Sequence, residues 1–344
     1  EGSFSLVASL TAGAPGVAAE GFELVAGALR ARGALALTPG TRPRLAGRIA
    51  AERLPVPLPG LRSAEPLDLG VLADFDAEIA LEAARVEAGE LVLEAAAATL
   101  KLEAGRARLE GLQARLAGGT LEAALGLDLP EGAPPRLTLE GRLADATIAA
   151  PLFGLPFDLA AGRGEASVAL TATGHSPRAL LATLDGNWQA ALRDGVVTGF
   201  DLAAAAAAAG QPDALAAEDA VRAGLGGGAT AFDRLDLAGR VESGRLRVEA
   251  GRLATEGGAT ATLAGEADLL RAGLDLRLAA RPSMPDAPDL GLRITGPAAA
   301  PRILPEISTW ARWRATAATR CSSARPLPQA HLMGRQPAAS CRQR

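Results

Sequence analysis

The sequence predicts a mainly β protein: an elongated antiparallel, twisted sheet curled into a groove, with a small helical insert near the C-terminal third. Three observations predict it. Apolar and polar residues alternate through most of the 344-residue chain, and Gly or charged turns punctuate the runs. Bulky residues are scarce, with aromatics at 3% and no Tyr. Alternation gives each strand one apolar and one wet face. Strands lined by Leu and Ala suit a thin, open layer better than a thick sandwich core.

The first 70 residues open on the alternation Phe4, Leu6, Ala8, Leu10, so the chain begins in mid-strand and reads as lacking its start. No signal-peptide pattern is present. Further on, Leu54–Gly60 (LPVPLPG) carries too many prolines for a central strand, since Pro donates no ladder hydrogen bond. Residues 71–150 hold the most regular meander. Phe75, Ala77, Ile79 and Leu81 share one parity, followed by Leu91 and Leu93, Leu100 and Leu102, and Leu121–Leu129. Turns at Glu87–Glu90, Glu103–Arg106 and Ala117–Thr120 place Gly where hairpins need positive φ. Strand patterns return at Leu137–Leu143, Ala166–Ala172, Leu235–Val241, Leu246–Ala250, Ala261–Ala267, Leu274–Leu278 and Leu290–Ile294.

Helix signals interrupt this pattern. Ser176 caps and Pro177 opens a first helix. Asp201 precedes Ala203–Ala209, with Gly210 placed as its C′ glycine. Pro212–Leu225 forms a third, stopped by Gly226-Gly227-Gly228. Between them Asn187–Leu192 re-enters the sheet. Three regions follow: 1–150, a repeating β-groove; 151–315, a C-terminal region with its helical insert at 176–225; and 316–344, a disordered basic tail.

Charge and motifs exclude several functions. Formal net charge is −4, and Ala317–Arg344 holds five Arg and no acid, leaving 30 basic against 39 acidic residues in the remainder. That balance excludes a nucleic-acid surface. No apolar run is long enough to span a bilayer as a helix, and the lack of Tyr leaves a membrane barrel without its aromatic girdles. Cys321 and Cys341 both fall in the tail, so the fold needs no disulfide.

The glycines of Gly224–Gly228 follow a helix and precede a strand, the reverse of a phosphate loop. His175 lacks companion metal ligands, and its neighbour Ser176 is misplaced for a triad. The acids at Asp68, Asp74, Asp76, Asp128, Asp194, Asp233 and Asp236 sit at strand ends and turns, where they solubilise edges. The Ala203–Ala209 run lacks the bulky apolar and basic faces of an interfacial helix. No catalytic residue, metal site or cofactor is expected.

The open question is what the apolar face meets. A shallow sheet lined by Leu, Val and Ala suits an acyl chain, which needs smooth apolar area and no polar code. Parity selects Phe75, Ile79, Leu81, Leu91, Leu93, Leu100, Leu102, Leu125, Leu127, Val168 and Leu170 as its lining. The alternative is a structural or adhesive β-repeat protein with a closed core.

Several stretches carry a family resemblance. Leu184-Asp185-Gly186-Asn187 is followed by Leu192-Arg193-Asp194-Gly195-Val196-Val197-Thr198-Gly199-Phe200-Asp201-Leu202. Next come Gly228-Ala229-Thr230-Ala231-Phe232-Asp233-Arg234-Leu235 and Val241-Glu242-Ser243-Gly244-Arg245-Leu246, and the series ends at Ile294-Thr295-Gly296 with Pro301. In order and spacing this resembles the C-terminal region of AsmA-like proteins, over residues 70–308. The resemblance implies a non-enzymatic, periplasmic protein of a Gram-negative-type envelope, anchored in the inner membrane by a helix this chain lacks. It implies a repeating β-groove for phospholipid acyl chains, a role in outer-membrane biogenesis, and envelope-protein partners.

Overall fold

In the computed structural model the described residues are 4–323, apart from Pro15, Glu90, 148–149, 152–157, Ala161, Glu256 and Ser283. Strands β1 (Phe4–Gly13), β2 (Gly16–Ala26), β3 (Leu29–Thr38) and β4 (Arg44–Val56) open the chain. A crossover then leads to β5 (Asp76–Ala88), β6 (Leu91–Glu103), β7 (Arg106–Leu116), β8 (Gly119–Asp128) and β9 (Arg136–Thr147). The short β10 (Ala150–Pro151) and β11 (Asp158–Ala160) precede β12 (Arg163–Thr173). Helix α1 (Pro177–Ala182), β13 (Asp185–Thr198), α2 (Leu202–Ala209) and α3 (Ala214–Leu225) follow. The chain closes with β14 (Ala229–Glu242), β15 (Arg245–Ala254), β16 (Thr260–Asp268), β17 (Gly273–Arg281), β18 (Leu290–Pro297), β19 (Arg302–Glu306) and α4 (Ser308–Ser323).

Pairing is a single line in which, leaving aside the short β10 and β11, each strand meets the one before it and the one after it, β9 meeting β12. β10 prolongs the line of β9, and β11 that of β12 along β13, so the sheet has 17 positions. It is twisted and does not close into a barrel. Hairpins account for this order. Ala104-Gly105, Ala117-Gly118 and Ser243-Gly244 all have positive φ at both positions, the two-residue turn whose twist matches that of the flanking strands.

One pairing departs from the antiparallel expectation: β4 and β5 are parallel, Arg44 opposite Asp76 through Val56 opposite Ala88. Parallel neighbours need a crossover, and residues 57–75 supply it. The proline-rich stretch is also more strand-like than expected, because β4 continues through Leu54, Pro55 and Val56. Pro55 is tolerated because β3 pairs only as far as Arg53 there, leaving β5 as the one partner beyond it.

A row of irregularities adds twist. Two successive residues are exposed at Glu52/Arg53, Ala84/Arg85, Glu94/Ala95 and Glu110/Gly111, breaking the alternation in β4, β5, β6 and β7. Ala95 and Gly111 have φ of 50° and 62°. Bulged strands bend and twist more strongly. Asp194 in β13 and Glu249/Ala250 in β15 repeat the device.

The crossover shows which way the sheet bends. Arg62 donates from Nε and Nη2 to the Leu269 carbonyl, at 3.1 and 3.0 Å, in the β16–β17 turn. The Arg178 N–H of α1 donates to the Ser63 carbonyl at 2.9 Å, and the Leu67 N–H to that of His175 at 2.7 Å. In a flat sheet β16 would lie ten strand steps from β4, about 48 Å. The six residues from Val56 to Arg62 reach at most about 22 Å. The sheet must therefore coil. Leu72 and Phe75 at the end of the crossover pack against Ala77, Ile79 and Leu102, so the apolar face is the concave one.

Capping follows the sequence. Ser176 Oγ accepts from the Ala179 N–H at 3.2 Å, Asp201 Oδ1 from Ala204 at 2.8 Å, and Asp213 Oδ1 from Leu215 at 2.9 Å. Gly210 differs from its expected left-handed role. Its φ is −83°, and its N–H bonds back to the Ala207 carbonyl in a tight last turn. The boundary at residue 315/316 falls inside α4, which runs to Ser323; residues 324–344 of the expected tail lie outside the described residues.

Candidate functional site: the concave apolar trough

Register assembles the trough row by row, because directly paired residues share a face. One row runs Ile79–Leu100–Leu109–Leu125–Leu139–Leu170 across β5, β6, β7, β8, β9 and β12. The next runs Ala77–Leu102–Ala107–Leu127–Leu137–Ala172. Val168 sits opposite Gly141, beside Ala123 and Leu112. Leu81 faces Ala98, and Phe75 packs beneath Ala77.

Leu91 and Leu93 have the opposite parity from Leu100 and Leu102, yet all four share the concave face. The break at Glu94/Ala95 restores the phase, and Ala84/Arg85 does the same in the facing strand. All eleven residues chosen by parity thus lie on one face. Parity missed Leu45, Ile49 and Leu54 of β4, which continue the rows toward the N-terminus; the prolines at its end hid the signal.

Burial along this face has two regimes. From β4 to β12, among the described residues, no second layer covers it except the end of the crossover. There Leu72 and Phe75 help bury Ile79 and Leu102 to 7% and 3% exposed, while Leu93 is 7% exposed among the sheet residues Ala83, Ala96 and Ala114. Side chains on the inside of a curled sheet shade one another, whereas Leu91 at the strand end stays 43% exposed. The second regime begins at β13. There Leu192, Leu235, Leu253, Leu278 and Leu292 of the sheet pack with Leu202, Val221, Leu225 and Trp310 of the helices into one closed core. The helices stopper this end of the trough. β1 closes nothing at the other end: all its residues are exposed, with Phe4 at 72%.

The stopper depends on a local hydrogen-bond relay. Gly228 takes φ +100°, turning the chain into β14 against Asp201. Thr230, 1% exposed, accepts the Leu202 N–H at Oγ1 (3.0 Å) and donates to the Phe200 carbonyl (2.8 Å). Phe232, two residues on, points into the core. Gly224 brings α3 onto α2; a Cβ there would lie 3.0 Å from the Ala205 nitrogen.

The convex face is chemically opposite. Arg44 pairs with Glu78, Lys101 with Glu110, Arg108 with Asp128, and Arg293 makes a two-pronged contact with Asp275. Exposed pairs of this kind contribute little stability each, but they hold this face to water and so fix which side turns inward. The Ala104 N–H and then Arg42 hold the Asp76 carboxyl below its ordinary value, and the hydrogen bond to Glu110 raises the Lys101 ammonium. This face is convex only in its overall bend: a shallow recess of about 900 Å³ hollows it locally, lined chiefly by polar-face residues such as Gln113, Glu122, Arg142, Ser167 and Gln189. Among the described residues no cluster of His, Cys, Asp or Glu is placed to hold a metal ion. Ser176 Oγ is engaged in capping α1, and His175 gives its carbonyl to the crossover.

The AsmA family model matches residues 62–250, more than half of the chain. The chain belongs to the AsmA family. Members of the AsmA family are associated with envelope and outer-membrane assembly and with lipid transport. No curated protein and no solved structure matches the chain. The AsmA match covers the open trough from β5 to β12, the crossover residues Arg62 and Ser63, and the stoppering helices α2 and α3. Among the described residues no helix is long and apolar enough to cross a membrane.

Proposed function

We propose that the trough holds or conducts phospholipid acyl chains in the cell envelope and has no catalytic step. The observation that carries this reading is the continuous apolar strip on the concave face of β5–β12, which among the described residues is covered only at its β5–β6 end, by Leu72 and Phe75 of the crossover. Five strand steps give it a length of about 24 Å, more than the roughly 15 Å that one acyl tail occupies in a bilayer leaflet. Burying each methylene is worth roughly 0.8 kcal/mol, so a sixteen-carbon tail draws on about 12 kcal/mol before ordering costs. The reading extends to a periplasmic location, attachment to the inner membrane, and envelope-protein partners.

The rival, a closed structural β-repeat, is favoured by the sealed core over β13–β18, but that seal is confined to the helical end. A photo-crosslinking amino acid at Leu125 or Leu127, with the adducts from cells identified, tests the choice. Phospholipid adducts at both positions, absent from an outward control at Glu122, are expected. Adducts only to protein, or none above the control, would reject the lipid path.

A further inference from the structure

We infer that the crossover 57–75 is a clamp that sets how tightly the trough is coiled, and therefore how widely it gapes. The inference rests on the proposed lipid reading only for its consequence; the clamp itself is a mechanical claim. Both ends of the segment are fixed in the sheet by the parallel pair β4 and β5. Its middle is tied to distant elements: Ser63 to α1, Leu67 to His175 beyond β12, and Arg62 to Leu269 after β16.

These ties join stretches of sheet that share no ladder hydrogen bond, so no strand pairing substitutes for them. Pro55, Pro57 and Pro59 stiffen the approach by fixing φ. Leu58 and Leu61 stand exposed at 58% and 74%, so this stretch is held by its ends and ties, not by burial. Of the three, only the Arg62 tie is made by a side chain. Its forked guanidinium grips a single carbonyl, and removing it leaves the backbone intact. A sheet freed there uncoils toward the flatter form that its bulged strands alone would give, and the trough opens.

The test uses the full chain with Cys321 and Cys341 replaced by Ser and spin labels at Glu103→Cys and Arg271→Cys, both exposed turn-side positions. Pulsed electron–electron distance measurements compare the parent with Arg62→Ala and Arg62→Gln. Binding of cis-parinaric acid is followed by its fluorescence in the same samples. The clamp predicts that R62A moves or broadens the label distance by more than one strand spacing, about 4.8 Å. R62Q, which keeps one amide donor, should fall between, and probe uptake should quicken in the same order. Unchanged distances in R62A would overturn the clamp, whatever the probe does. Widened distances without any probe binding to the parent would uphold the clamp and remove the lipid reading.

Discussion

Replacing Thr230 by Val preserves shape while deleting one hydroxyl, and so isolates the relay that joins α2 to the sheet. In the wild type that hydroxyl serves two backbone groups, at 3.0 and 2.8 Å, in a site 1% exposed. Its loss leaves the Leu202 N–H, the first donor of α2, without its partner in a dry core, at about 1–3 kcal/mol. Losing the donor to Phe200 costs about another 1 kcal/mol. The extra buried methyl returns roughly 0.8 kcal/mol. The balance is a loss of about 1–3 kcal/mol for T230V.

Thr230→Ser keeps the hydroxyl, deletes one methyl, and should lose only about 1 kcal/mol. The assay is urea unfolding followed by tryptophan fluorescence. All three Trp, at positions 188, 310 and 313, pack in or against the stopper core, so the signal reports this region. Exchange of the Leu202 amide should accelerate in parallel. A T230V midpoint equivalent to less than about 0.5 kcal/mol, or a larger effect from T230S, would refute the account.

Three further outcomes are expected. Gly244→Ala puts a Cβ 2.4 Å from the Leu181 carbonyl oxygen at φ +73°, and should cost about 2 kcal/mol or more by thermal unfolding, whereas Ala117→Asn, at φ 51°, should gain about 0.5 kcal/mol by easing a left-handed Ala. Leu102→Ala should lose about 2–4 kcal/mol by the same measurement, and Leu91→Ala, being largely exposed, less than about 1. Asp76 has a lowered folded pKa, so its stabilising effect is complete above its unfolded value of about 3.9 and is lost as pH falls through the folded value. Acid titration of Asp76→Asn should therefore show a shallower loss of stability below about pH 4 than the parent, and matching slopes would exclude this role.

Much of this was legible because the physics is local. Alternation marked the strands, Gly at the second turn position marked hairpins such as Ala117-Gly118, and Ser176 and Asp201 marked helix starts. What stayed hidden depends on distant partners. Nothing local says that Leu54, Pro55 and Val56 pair with β5 in parallel, since Pro55 is acceptable only because β3 has already ended. The phase change between Leu93 and Leu100 was invisible for a related reason. Ala95 carries no sign that its φ is positive, and its consequence is felt only when the facing strand breaks step at Ala84. The fate of α4 past residue 315 likewise turned on Trp310 finding a core built by residues far upstream.

The line of pairings, each strand touching only those on either side, carries one more implication. Such an arrangement has no fixed size. Inserting another hairpin ahead of β4, outside the span that the crossover ties together, would lengthen the line by about 9.6 Å without altering its bore. A gap between two compartments could then be matched by counting hairpins, while the helical plug, indifferent to that count, would mark the terminus of the line.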